Sequence, residues 1–192
     1  MFRDLLVAEF KPYGTLSSDQ LAHLERHFEL LVRWNQKLNL TRIRSVKEVV
    51  RFHYCESLYV AATLPRGSRR VVDVGSGAGF PGIPVAVLRP ELSVDLIESH
   101  QRKAVFLREA ARNLPNVRVL ARRAEDCQNG YDWMIARAVR TEKVLSLQLS
   151  YNLALLMGAD DAVRVPGAQR AEKIPWGDRR VLVLVSRETW EK

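Results

Sequence analysis

The run Asp73-Val-Gly75-Ser-Gly77-Ala-Gly79-Phe80-Pro-Gly82 follows directly on the β-branched pair Val71-Val72. Three glycines at alternate positions behind a strand let the backbone turn tightly and let a ligand approach it closely. Glu98 stands 23 residues after Gly75, at the end of the next β-branched run, Val94 to Ile97. In a doubly wound sheet, an acid at that place meets the ribose hydroxyls of an adenosine lying over the first turn. Strand, glycine turn, helix, strand and acid occur here in the order this chemistry needs, which separates them from a merely structural turn. Gly75, Gly77, Gly79 and Glu98 are therefore candidate cofactor contacts.

The spacing narrows the ligand. A dinucleotide fold carries GxGxxG, with the helix N-terminus facing pyrophosphate. Here it is GxGxG, and Pro81 and Pro84 remove N–H groups that a pyrophosphate would use. This disfavours the rival reading, an NAD-dependent oxidoreductase. The absence of GxxxxGK[ST] removes a P-loop. What is left resembles the S-adenosylmethionine site of a Rossmann-like methyltransferase, whose ligand has an adenosine and no phosphate.

The rest of the sequence supplies elements to hold such a site. Ser17-Ser18-Asp19-Gln20 reads as a capping box, and Leu21, Leu24, Phe28, Leu31 and Leu38 recur as one apolar helical stripe. A second helix is expected from Val46 to about Leu64, stopped by Pro65 and Gly67. From residue 70 on, short strands alternate with helices. Strands are expected at 71–74, 94–98, 117–120, 133–136 and 153–157, with helices from Gly82, Arg102 and Thr141 between them. Alternation of this kind implies a doubly wound, mostly parallel α/β sheet. The last strong strand, 181–185, is expected as an antiparallel edge. The expected division is a helical extension at 1–68 and a Rossmann-like class I methyltransferase core at 69–192.

With the glycine turn, Arg89-Pro90-Glu91 and several shorter matches, the sequence is similar to the ribosomal RNA small-subunit methyltransferase G family, also called glucose-inhibited division protein B. The other matches are Trp34-Asn35 with Asn39-Leu40-Thr41, His53 with Ser57-Leu58, Arg102-Lys103 with Phe106-Leu107-Arg108, Arg123-Ala124-Glu125, and Ala136-Arg137-Ala138. They fall in order across about residues 30–140. The resemblance implies methyl transfer from S-adenosylmethionine to N7 of a guanine in 16S ribosomal RNA. It also implies cofactor contacts at Gly75, Phe80, Ala124, Glu125 and Arg137.

Guanine N7 carries a free lone pair and no proton, so its attack on a sulfonium methyl needs no general base; positioning and electrostatics suffice. The sequence also lacks a [DN]-P-P-[YF] loop for an exocyclic amine and a Pro-Cys nucleophile for a pyrimidine. Between Ser99 and Lys143 there are ten Lys/Arg against five Asp/Glu. Arg123 and Arg137, near expected strand ends, are the candidate catalytic and substrate-contacting cations, bridging to guanine O6 or to a phosphate. Arg102, Lys103, Asn39 and His53 are further candidate RNA contacts. Arg108, Arg112 and Arg118 read as solvated, His23, His27 and His100 as surface, Trp34 and Phe28 as core, and Cys127 as inert. No metal site is expected.

Two positions depart from the family pattern. Glu56 stands where aspartate precedes Ser-Leu, and Met157-Gly158 stands where Lys-Gly closes a strand, ahead of a short connection to the last strand. These departures leave open an alternative, a cofactor- or RNA-binding protein that has lost catalysis. The composition fits either. With 30 Lys+Arg, 22 Asp+Glu and a net charge of +8 in 192 residues, a polyanionic partner is favoured over an acidic one. No apolar run approaches a membrane span and the start has no signal-peptide core, so a cytoplasmic, monomeric protein with no membrane partner is expected.

Overall fold

Valine- and leucine-rich runs pair into a single sheet in the computed structural model, which describes residues 1–43 and 45–186. The strands β1 (Arg70–Val74), β2 (Ser93–Ile97), β3 (Val117–Leu120), β4 (Tyr131–Arg137) and β5 (Ser150–Gly158) are mutually parallel. β6 (Ala168–Lys173) and β7 (Arg180–Ser186) are antiparallel, and the order across the sheet is β3-β2-β1-β4-β5-β7-β6. The order reverses between β1 and β4, which makes their carboxyl ends the switch point where ligands bind in such sheets. The doubly wound, mostly parallel arrangement expected from the sequence is present.

The edge is a correction. β7, expected outermost, lies between β5 and β6, and the outer strand is formed by Ala-Gln-Arg-Ala-Glu-Lys at 168–173. That segment has no apolar alternation because it buries almost nothing, and its charges suit an edge that must not pair with another chain. Residues 187–192, the end of the expected core, lie outside the described residues.

Helices α1 (Phe2–Phe10), α2 (Ser18–Leu38), α3 (Val46–Val49) and α4 (Glu56–Thr63) form the extension. Ser17 Oγ accepts from the Gln20 N–H at 3.2 Å and Gln20 Oε1 accepts from the Ser17 N–H at 2.9 Å, the reciprocal box read in the sequence. The Gln20 amide also donates to the carbonyls of Val87 (3.2 Å) and Leu88 (3.4 Å), so the cap of α2 fastens the end of α5 (Gly82–Leu88). Val46 to Thr63 is one helical run, as expected, but its middle, Val50–Cys55, is wound as a π-helix. The wider turn brings His53, Tyr54 and Cys55 inward together.

The remaining helices are α6 (Gln101–Ala110), α7 (Thr141–Ser146) and α8 (Ala159–Ala162). Phe2, Leu6, Leu24, Leu31, Tyr54 and Leu58 of the extension share one hydrophobic cluster with Ile83, Leu96 and Phe106 of the sheet layer. A second cluster, with Val72, Met134, Leu153 and Val183, covers the other face. Among the described residues no helix is long and apolar enough to cross a membrane.

The glycine turn enters this packing without slack. A Cβ on Gly82 would stand 2.3 Å from Leu96 Cδ2 and 2.6 Å from Asp73 Oδ2, both buried. Gly82→Ala is therefore expected to cost about 2 kcal/mol or more through overpacking, read as a lowered urea midpoint at unchanged slope.

Candidate active site

The turn after β1 is held from below, from one side and from behind. Gly75, Gly77 and Gly79 have φ of 72°, 55° and 86°, the left-handed region that a side chain resists. Below, the Gly75 and Ser76 N–H groups both donate to the Ile97 carbonyl (2.9 and 3.0 Å), tying the turn to β2. To the side, Glu98 accepts from the Gly77 N–H at 3.0 Å and from the His100 N–H at 2.7 Å. Glu98 is buried, so it is not a solvent-facing acid, and it has backbone work as well as unused lone pairs. Beneath the turn, Asp73 Oδ2 accepts from the Gly82 N–H at 2.9 Å. Asp73 Oδ1 is buried with no hydrogen-bond partner among the described residues, and burial pushes this carboxyl up to about 7.

The support from behind comes from the helical extension through His27, expected at the surface and found at 1% exposure. Its Nε2–H donates to the Ala78 carbonyl at 2.9 Å, and its Nδ1 accepts from the Tyr54 hydroxyl at 2.9 Å. This pairing fixes one neutral tautomer, and burial pulls the imidazole down to about 4. His27 occupies the stripe between Leu24 and Leu31, so its spacing carried a signal of burial that its residue type obscured.

Phe80 is also turned inward. It stacks on His53 with centroids 4.7 Å apart and meets the edges of Tyr54 and His27 at 5.0 and 5.1 Å. Its ring is committed to this cluster, which leaves only the backbone at 80 for the cofactor contact that the resemblance implies.

At the end of β4 the chain turns through Ala138, whose φ of 55° is strained for a residue with a Cβ. Beside it Arg137 points into the extension. Its guanidinium donates to His53 Nδ1 at 2.7 Å and stands 3.4 Å from Glu56 Oε2. His53 Nε2–H in turn donates to Thr41 Oγ1 at 2.7 Å. Thr41 is pinned by Asn35, whose side chain bonds both its N–H (2.8 Å) and its carbonyl (2.9 Å). Burial first, and the Arg137 charge second, pull His53 down to about 3.

Glu56 is fully buried and shared. Arg180 of β7 donates to its Oε2 at 3.0 Å and places Nε 3.0 Å from Oε1 without hydrogen-bond alignment. The longer side chain at the position of the family's aspartate thus spans two arginines from different strands. Losing one partner of such a buried cluster leaves an uncompensated charge.

The other candidates take separate places. Arg123, after β3, is exposed with no side-chain partner among the described residues. Two strands, β2 and β1, lie between β3 and β4, so the structure does not bring Arg123 and Arg137 together. Arg102 and Lys103 begin α6, exposed and half-buried respectively, close in sequence to Glu98. Ala124 is buried, and the Glu125 carboxylate pairs with Lys143 at 3.0 Å. Asn39 caps α2 in the left-handed conformation and borders a groove of about 640 Å³ with Phe28, Gln36 and Ile43. His53 is 8% exposed and serves as a strut between Thr41 and Arg137, a correction to its expected place at the RNA surface. Arg118 is exposed, as expected, and also forks onto the buried Asp95 at 2.9 and 2.5 Å.

Comparison with known proteins gives the family and the fold. A family model described as GidB, rRNA small subunit methyltransferase G, matches residues 20–186. Ribosomal RNA small subunit methyltransferase G of Xanthomonas campestris pv. campestris is 44% identical over 131 residues, which are 66% of this chain and 61% of that protein. The match therefore spans about three fifths of that relative's length. The protein of the same name from Chloroflexus aggregans is 34% identical over 91% of this chain and 79% of its own. Among solved structures, a SAM-dependent methyltransferase from Aquifex aeolicus superposes with a TM-score of 0.56 at 16% identity, covering 72% of this chain and 93% of that one.

The buried histidines give the fold a pH dependence. The unfolded imidazole binds a proton below about 6.5, whereas folded His27 stays neutral to about 4, so stability falls as the pH drops through this window. His53 acts in the same direction, and Asp73, whose folded pKa is raised, acts in the opposite one. The His27 share is isolated by substitution. Between pH 7 and pH 5 the wild type is expected to lose about 2 kcal/mol more than His27→Gln, measured by urea unfolding at both pH values.

Proposed function

From the premise that the chain belongs to the rRNA small subunit methyltransferase G family, we propose that it methylates N7 of a guanine in 16S ribosomal RNA with S-adenosylmethionine as donor. The observation that carries this reading is the glycine turn at the carboxyl end of β1, fastened to Glu98 at the switch point with β4. S-adenosylmethionine supplies a methyl group on a positively charged sulfur.

The residues present fit that group. Glu98 has used one contact on each oxygen and keeps lone pairs for ribose hydroxyls. Gly75, at a φ of 72°, keeps the backbone bare where the turn meets the end of β4, since a Cβ there would strike Val139 Cγ2 at 2.9 Å. Asp73, fully buried beneath the same turn, holds the Gly82 N–H and so fixes the turn's far end.

In the reaction the guanine N7 lone pair forms the new C–N bond as the C–S pair returns to sulfur, and no proton is lost. The protein then needs no base. It must orient the acceptor, exclude water and balance the positive charge that passes to the purine. Arg137 is already committed to His53 and Glu56, so on this reading it shapes the site wall and its field. Arg123, Arg102 and Lys103 hold the RNA backbone from outside. The extension, 1–68, braces the turn and the core, 69–192, carries the donor. The protein works as a monomer in the cytoplasm on small-subunit RNA.

Incubation with methyl-labelled S-adenosylmethionine and unmodified small subunits is expected to place label on one guanine, at a base cleaved by N7-specific chemistry. Label confined to exocyclic amines or riboses overturns the reading. Arg123→Ala is expected to weaken RNA binding and to reduce its salt slope by about one, with S-adenosylmethionine affinity unchanged by calorimetry.

A further inference from the structure

A second cavity lies at the carboxyl ends of β4 and β5, with a volume of about 200 Å³. Its wall includes Val139, the residue whose Cγ2 covers Gly75, so one side chain separates it from the glycine turn. Thr141, Met157, Asp161 and Arg180 also line it. It is smaller than the usual site for a whole cofactor or drug-sized ligand, and its size suits a single planar base.

Its polar groups are of opposite kinds. Arg180 is held from behind by both oxygens of the buried Glu56, which fixes the guanidinium while leaving its side chain 31% exposed. Asp161 is exposed, and its carboxylate has no hydrogen-bond or ion-pair partner among the described residues. The adjacent Asp160 pairs with Arg179 instead. A fixed donor and a free acceptor beside apolar Met157 and Val139 match guanine, which presents an acceptor at O6 and donors at N1 and N2. In the same orientation adenine sets an amino donor against the Arg180 donors and the N1 lone pair against the Asp161 carboxylate, so it mismatches both. Cytosine and uracil lack the second ring that fills the space.

We propose that this cavity is the specificity pocket for the acceptor guanine: Asp161 accepts from the N1–H and N2–H groups, and Arg180 donates to O6. N7 lies on the other side of O6 and keeps its lone pair free for the methyl group. This assignment rests on the methyl-transfer reading above and deepens it, because it names the side chains that choose the base.

The test pairs a substitution in the protein with one in the substrate. Small-subunit RNA carrying inosine at the target position lacks only the 2-amino group. The wild type is expected to methylate it roughly tenfold less efficiently than the guanine form, as kcat/KM, the loss of one good base-edge contact. Asp161→Asn is expected to lose activity on guanine and to lose the discrimination against inosine. Asp160→Asn is expected to change neither. Ligand binding without turnover is read from the labelled methyl group of Met157, with buried Met134 and exposed Met1 as internal references. Guanosine monophosphate is expected to shift the Met157 signal more than inosine monophosphate does.

Methyl transfer by the wild type without preference over inosine, or discrimination that survives in Asp161→Asn, overturns the pocket and leaves the methyl-transfer reading standing. A selective Met157 shift with no transfer to any small-subunit RNA keeps the pocket and overturns that reading. Neither transfer nor shift overturns both.

Discussion

Three left-handed glycines in a span of five residues will not keep one conformation by themselves, because the freedom that lets them turn also lets them wander. The structure answers with restraints from outside the turn. Glu98 holds the Gly77 N–H, Ile97 holds those of Gly75 and Ser76, Asp73 holds that of Gly82, and His27 holds the carbonyl of Ala78. The first three come from the sheet and the fourth from the extension. A turn anchored on both sides presents its backbone in a fixed place, and such preorganisation lowers the ordering cost of binding a ligand there.

The same restraint makes the extension part of the site. The Tyr54 hydroxyl fixes the His27 tautomer that donates to the turn, and Tyr54 itself faces inward from the π-helical segment at 50–55. That segment also supplies His53, and Glu56 follows it directly. The chain of contacts from Thr41 through His53, Arg137 and Glu56 to Arg180 joins the extension to β4 and β7. Its groups are charged or polar and mostly buried, so each is costly unless its partners are in place. Packing of the extension and the geometry of the β4 end therefore stand or fall together.

The mostly parallel, doubly wound sheet, the glycine turn and the capping box are legible because each has a short-range signature: alternation of strand and helix, residue type at fixed offsets, and Ser17 with Gln20. Glu98 was legible through its spacing from Gly75. What escaped was long-range or masked by residue type. The outer strand at 168–173 carries no apolar pattern, because an exposed edge has none to show. His27 was read as a surface residue though it sits on the apolar stripe, since burial of a histidine depends on partners at Tyr54 and Ala78 that only the fold assembles. The strand-end position of Arg137 suggests a substrate-contacting cation, whereas its turn toward the extension is set by Glu56, 81 residues earlier in the chain. His53 matched a motif correctly, but the motif reports a strut and not a surface contact.

The corner where β5 ends shows how register can supply what sequence position does not. Met157 brings no charge to this corner, where the resemblance leads one to expect lysine. In the ladder between β5 and β7, Met157 faces Val181 and Gly158 faces Arg180. A cation thus reaches the corner from the neighbouring antiparallel strand, one position along. Glu56 is the residue that holds it there. Arg180 at this corner and the buried Glu56 in the extension form one ion pair. Removing either arginine leaves the buried Glu56 carboxylate short of counter-charge, at a cost of several kcal/mol, so the corner where β5 meets β7 depends on both.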